Sequence, residues 1–131
     1  MAVQPDISIL VVDDVQTMRT QISSLLGLSG FKKVQVASNG LEACQLLLSQ
    51  PFQLIIADWQ MNPMNGLEFV NFVRSHPSLN GIPFIMLTAE TTKEKVIEAI
   101  RAGIDDYIVK PLTQDHILLK VGIVLKKRNV I

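Results

Sequence analysis

The chain has one cysteine, Cys44, in 131 residues. An internal disulfide is therefore excluded, and a reducing compartment, the cytoplasm, is the expected location. Cys44 lies in an apolar helical stretch, where packing is its expected role. No charge of one sign prevails, since 12 Lys and Arg balance 12 Asp and Glu. A neutral chain has no long-range field to draw it onto nucleic acid or an anionic membrane, so neither is expected as a direct partner. No apolar run approaches the roughly 18 residues that a membrane span needs. Pro5 and Asp6 interrupt the N-terminus, so no secretory signal is expected. Internal repeats and low-complexity tracts are also lacking, and the length suits one domain over 1–131.

What the chain has is 48% apolar residues, enough for a sizeable core. Four short apolar runs each end in polar residues: Ile7–Val12 in Asp13-Asp14, Phe52–Ala57 in Asp58, Pro83–Leu87 in Thr88, and Tyr107–Val109 in Lys110-Pro111. Continuous runs of this length read as strands buried on both faces, hence a parallel sheet. Lys33–Ala37 reads as a fifth strand.

Helical patterns alternate with these strands. Val15, Met18, Ile22, Leu25 and Leu26 predict one helical face, stopped by Gly27 and Gly30. Asn39 with Glu42 predicts a capped helix whose apolar face is Leu41, Cys44, Leu47 and Leu48, ended by Pro51. An irregular loop is expected over Trp59–Met64, then a helix capped by Asn65 and Glu68 with Leu67, Val70 and Val73 inward. Thr91 and Glu94 predict a further capping box, with Val96, Ile97 and Ile100 on the apolar face and Gly103 as the stop. Thr113 caps a last helix carrying Ile117, Leu118, Val121, Val124 and Leu125. Lys126, Lys127 and Arg128 at its end read as compensation of the helix dipole. Five strands and five helices in alternation, with right-handed crossovers, predict an α/β fold: a flavodoxin-like, doubly wound (βα)5 domain with strand order 2-1-3-4-5.

In such a sheet the C-terminal strand ends line one crevice. Asp13, Asp14, Asp58, Thr88 and Lys110 would meet there. Each like-charged carboxylate pair at ~4 Å costs on the order of 4 kcal/mol near a surface. The cluster therefore calls for a cation or a raised pKa. Oxygen ligands beside a phosphoryl group favour Mg2+. A hydroxyl and an ammonium can bind phosphoryl oxygens and neutralise their charge. Alone, Asp13-Asp14 reads equally well as a helix cap, Asp58 as a turn residue, Thr88 as an ordinary strand residue and Lys110 as a solvated lysine. Their shared position on one rim is what points to chemistry. Pro111 can hold a cis peptide that aims Lys110 inward.

The segments LVVDD (Leu10–Asp14), TMR (Thr17–Arg19), GF (Gly30-Phe31), ADW (Ala57–Trp59), MNG (Met64–Gly66), LTAE (Leu87–Glu90), AG (Ala102-Gly103) and YIVKP (Tyr107–Pro111) resemble, in order and spacing, the receiver domain of two-component response regulators. Within that family the chain is similar to the CheY-like, single-domain type, over a core of about 6–127. The resemblance implies that Asp58 takes a phosphoryl group from a histidine kinase or histidine phosphotransfer protein. It implies Mg2+ held by Asp14, Asp58 and the backbone carbonyl of Gln60, with Asp13 acting mostly through water. Lys110, Thr88 and the Ala89 N–H would bind phosphoryl oxygens. Thr88 and Tyr107 would relay the change to the face of helix 4, strand 5 and helix 5, which would bind a downstream protein such as a flagellar switch. Gln60 and Glu90 would tune loss of the phosphate to water.

The loop Met61-Asn62-Pro63-Met64-Asn65-Gly66 departs from the family's usual M-P-x-M-D-G, with proline one place later and Asn for Asp at 65. Asn caps a helix about as well as Asp. Trp59 is expected half-buried beside the site, as a fluorescence reporter. His76 and His116 read as surface residues. Asp105-Asp106 resembles receivers that dimerise on phosphorylation through helices 4 and 5, although a monomer is the main expectation.

Three other readings stay open at this stage. One is a receiver cut from a longer regulator with its own output domain, for example DNA-binding. Another is a Mg2+-dependent phosphohydrolase working through an aspartyl phosphate, although Gln60 stands where its acid would be needed. The third is a receiver fold that never takes phosphate. The leading expectation is a signalling module rather than an enzyme, limited to self-phosphotransfer and autodephosphorylation.

Overall fold

The computed structural model describes residues 6–89 and 92–128. Five strands, β1 (Ser8–Val12), β2 (Lys33–Ala37), β3 (Leu54–Asp58), β4 (Phe84–Thr88) and β5 (Asp106–Val109), alternate with five helices. The helices are α1 (Gln16–Leu28), α2 (Gly40–Ser49), α3 (Gly66–Ser75), α4 (Lys93–Ala102) and α5 (Gln114–Lys127). All strand pairs are parallel and the order is β2-β1-β3-β4-β5, as expected from the sequence.

Side chains alternate across the sheet, so each apolar strand feeds two cores. Leu10, Val12, Ile55, Ala57, Phe84 and Met86 pack with Ala43, Leu47, Val70, Val73 and Ala99 of α2, α3 and α4. Ile9, Val11, Leu54, Ile56, Ile85, Leu87 and Ile108 pack with Ile22, Leu26, Ile117, Val121 and Val124 of α1 and α5. Both faces of β1, β3 and β4 are thereby sealed, which is why Ile9–Val12, Leu54–Ala57 and Phe84–Leu87 carry no polar residue.

Several helix details differ from expectation. Val15 is the N-cap of α1 and half exposed, because the Asp13 carboxylate accepts its N–H and turns the chain before the helix begins. Gly27 does not stop α1, which runs on to Leu28. The reversal comes at Gly30, whose φ of 99° suits a residue without Cβ. In α2, Cys44 and Leu47 are buried as expected, but Leu41 and Leu48 point outward and Gly40 and Ala43 are buried in their place. A Cβ at Gly40 would meet the Met64 side chain at 2.9 Å. In α3, Phe69 joins the inward face and packs on Phe84, with ring centroids 5.6 Å apart. In α4 only Ala99 is buried, and Ile97 and Ile100 are exposed. The α4 cap lies at Thr92, and the expected Thr91 cap falls outside the described residues. The caps at Asn39, Asn65 and Thr113 are present, Asn65 and Glu68 as a full capping box.

Asp105 does not lie on an open surface. Its side chain is 1% exposed, and it accepts from Arg74 (3.1 Å), Arg128 (2.8 Å) and the Phe84 N–H (2.8 Å). Arg74 also donates to the carbonyls of Gly103 (2.9 Å), Asn80 (3.1 Å) and Ile82 (2.6 Å). This clamp ties α3, α5 and the starts of β4 and β5 together. Asp106 pairs within the chain too, with Lys120 at 2.9 Å.

Candidate functional site

Strand register builds the site. Val12 is level with Ala57, so Asp13 and Asp58 come next on neighbouring strands. Asp58 is level with Leu87 and Thr88 with Val109, so Thr88 and Lys110 each follow one step further along the sheet edge. Asp13, Asp58 and Thr88 are the buried polar residues among those described.

The three acids do cluster. One carboxylate oxygen from each of Asp13, Asp14 and Asp58 lies within 4.8 Å of the others. Asp13 Oδ1 accepts the Val15 N–H at 2.9 Å, while its Oδ2 is buried without a hydrogen bond. Lys110 reaches in from the end of β5. Its Nζ is 3.2 Å from Asp58 Oδ1 and 3.9 Å from Asp13 Oδ2. The Lys110-Pro111 and Asn62-Pro63 peptides are cis.

Burial pushes the Asp13 carboxyl above the ordinary aspartate range. The Val15 N–H and Lys110 pull it down, and Asp58 and Asp14 push it up. Burial likewise raises Asp58, against the charge and hydrogen bond of Lys110 and the Trp59 N–H, and Asp14 adds to the rise. An orphaned carboxylate oxygen among crowded acids fits an oxygen-seeking divalent cation, which would supply the missing partner and relieve the repulsion. The donor set is able to hold a metal ion.

Asp58 stands between two hollows. One of about 670 Å3 opens toward Asp14 and the loop after β3. Another of about 200 Å3 is lined by Asp58, Trp59, Gln60, Thr88, Ala89, Lys95 and Lys110. Gln60 borders both, and Gly66 packs directly against the backbone of Asp58 and Trp59. A Cβ at 66 would meet the Asp58 carbonyl at 2.7 Å and Trp59 Cα at 2.9 Å. Every expected site residue among those described is therefore in or beside this region, except Tyr107. Its half-buried ring carries the Lys120 ammonium 5.5 Å from its centroid. Glu90 lies outside the described residues. Trp59 is more buried than expected, at 9% exposure. Sequence reading missed Lys95, and it quoted Gly66 only within the MNG match, without its close packing on the Asp58 and Trp59 backbone. A lysine in a charged helix turn reads as solvated, and close backbone approach leaves no local pattern.

The receiver domain model of response regulators matches residues 9–122. The chain belongs to the response regulator receiver family. Among relatives, it is 42% identical over 118 residues to chemotaxis protein CheY1 of Helicobacter pylori, covering 89% of this chain and 95% of that one. Chemotaxis protein CheY-3 of Vibrio cholerae is 40% identical over 108 residues, covering 82% and 83%. The solved structure of Vibrio cholerae CheY4 superposes with a TM-score of 0.86 at 34% identity, covering 91% of this chain and 98% of that one. A putative response regulator from Chloroflexus aurantiacus gives 0.88 at 28%, covering 94% and 99%. The chain is thus a phospho-accepting, CheY-like receiver. No helix among the described residues is long and apolar enough to cross a membrane.

Proposed function

We propose that Asp58 is the phospho-acceptor of this receiver, in a Mg2+-dependent transfer from a phosphohistidine on a histidine kinase or phosphotransfer protein. The supporting observation is the contact of Lys110 Nζ with Asp58 Oδ1 at 3.2 Å, beside the buried, unbonded Asp13 Oδ2. An Asp58 oxygen attacks phosphorus, the P–N bond breaks, and its electron pair returns to the imidazole. The imidazole leaves neutral when its other nitrogen carries a proton. Lys110 favours the ionised form of Asp58 that attacks, against the effect of burial, and then opposes the charge of the phosphoryl group. The Thr88 hydroxyl and Ala89 N–H donate to phosphoryl oxygens. Asp14, Asp58 and the Gln60 carbonyl would hold Mg2+, with Asp13 acting through water. When bound, that ion would supply further neutralisation of phosphoryl charge. Water attacking phosphorus later returns the free Asp58 carboxylate, at a rate tuned by Gln60 and Glu90.

The output is a population shift between two arrangements, with Thr88 drawn to the phosphoryl group and Tyr107 turning behind it. Exposed Ile97 and Ile100 on α4, with Leu119 and Ile123 on α5, give a protein target apolar side chains to cover. The names of the relatives favour a chemotaxis pathway, and the same reading takes the cytoplasm as location and a protein such as a flagellar switch as target. Titration with beryllofluoride and Mg2+ tests the site through Trp59 fluorescence. Saturable quenching is expected in wild type and none in Asp58→Asn. The same response in both proteins would remove Asp58 as acceptor.

A further inference from the structure

The two hollows beside Asp58 differ in charge. Among the described residues lining the smaller one, the charged side chains are Asp58, Lys110 and Lys95. Lys110 is already shared between the Asp58 and Asp13 carboxylates. The phosphoryl group of an aspartyl phosphate carries close to two negative charges near neutrality, and the smaller hollow is where Thr88, Ala89 and Lys110 would receive it. Lys95, from the first turn of α4, is the described lining cation not committed to a carboxylate there.

Its present contact is weak. Lys95 Nζ stands 5.8 Å from the centroid of the Trp59 ring, and the residue is exposed. An ammonium over an indole face at a solvated position is held loosely. A hydrogen bond from that ammonium to a phosphoryl oxygen is charge-assisted and stronger. The flexible four-carbon stem lets the ammonium exchange one partner for the other.

We infer that Lys95 is a second phosphoryl-binding cation, resting on Trp59 in the unmodified protein and moving onto a phosphoryl oxygen when Asp58 is modified. The swap ties the first turn of α4 to the site, so the charge on Asp58 is felt directly by that helix. This inference rests on the reading of Asp58 as acceptor.

Calorimetric titration of the full chain with beryllofluoride and Mg2+ tests it. Lys95→Gln is expected to weaken binding about fivefold, the scale of one partly exposed charge contact, and to flatten its salt dependence. Lys95→Arg should bind within about twofold of wild type, because the charge and reach are kept. Lys93→Gln removes a charge from the same helix turn but not from the hollow, and should change nothing. Equal affinity in Lys95→Gln and wild type, equal weakening by Lys93→Gln, or no rescue by arginine overturns the role of Lys95 and leaves Asp58 untouched. Binding that persists in Asp58→Asn overturns the acceptor reading and this inference with it.

Discussion

Replacing Asp13 by asparagine should stabilise the metal-free protein. At an effective dielectric near 20, Lys110 at 3.9 Å attracts Asp13 by about 4 kcal/mol. Asp58, with a carboxylate oxygen within 4.8 Å, repels it by at least about 3.5 kcal/mol. These nearly cancel, and exposed Asp14 adds a smaller, screened repulsion. The deciding effect is burial, since Asp13 is fully enclosed and removing a carboxylate from water costs several kcal/mol. Asparagine avoids that cost and keeps the acceptor for the Val15 N–H. Lys110 is not stranded, because Asp58 remains 3.2 Å away. The expected gain is about 1–3 kcal/mol, or about 5 °C in Tm per kcal/mol for a domain of this size.

Urea unfolding at pH 7 with a chelator measures the gain. Mg2+ at 100 times its Kd adds about 2.7 kcal/mol to wild type and less to Asp13→Asn, so the gap narrows or reverses. The pH dependence has a fixed sign. Asp13 and Asp58 have folded values raised above the ordinary 3.8. The folded protein therefore binds more protons than the unfolded chain between 3.8 and those raised values. Metal-free wild type gains stability as pH falls through the raised values toward 3.8, and Asp13→Asn gains less. A metal-free Asp13→Asn that is less stable than wild type at pH 7, or that Mg2+ stabilises equally, refutes this reasoning.

Three other perturbations follow from named contacts. Gly66→Ala forces a Cβ against the Asp58 carbonyl and Trp59 Cα, and should cost about 1–3 kcal/mol and weaken beryllofluoride binding, both read by titration. Arg74→Met strips one partner from buried Asp105 and the donor from the Gly103, Asn80 and Ile82 carbonyls. It should cost about 3–5 kcal/mol in urea unfolding while the folded fraction still binds beryllofluoride like wild type. Lys110→Met removes the cation that lowers both buried acids, so carboxyl NMR titration should place Asp13 and Asp58 higher still. Unchanged titration would show that burial alone sets their values.

The sequence alone determined the strands, their order and the acids that meet at one rim. Each strand buried on both faces must be apolar throughout, and it can carry a polar residue only where it leaves the core. That is why Asp13, Asp58, Thr88 and Lys110 stood out at strand ends. Capping at Asn39, Asn65 and Thr113 was equally legible, because those bonds close within three residues. Helix faces were harder to read. Leu41, Leu48, Ile97 and Ile100 satisfy a helical period yet point outward, since the faces buried in the core carry small residues such as Ala43 and Ala99.

Only the tertiary structure decided what Asp105 and Lys95 do. Asp105, noted in the sequence only for its resemblance to dimerising receivers, gains its role when Arg74, 31 residues away, closes on it. Lys95 reads as a solvated helix lysine until α4 sets it over Trp59, at the mouth of a hollow built from β3, β4 and β5. Contacts between residues distant in the chain depend on how the helices pack, and no local spacing encodes that.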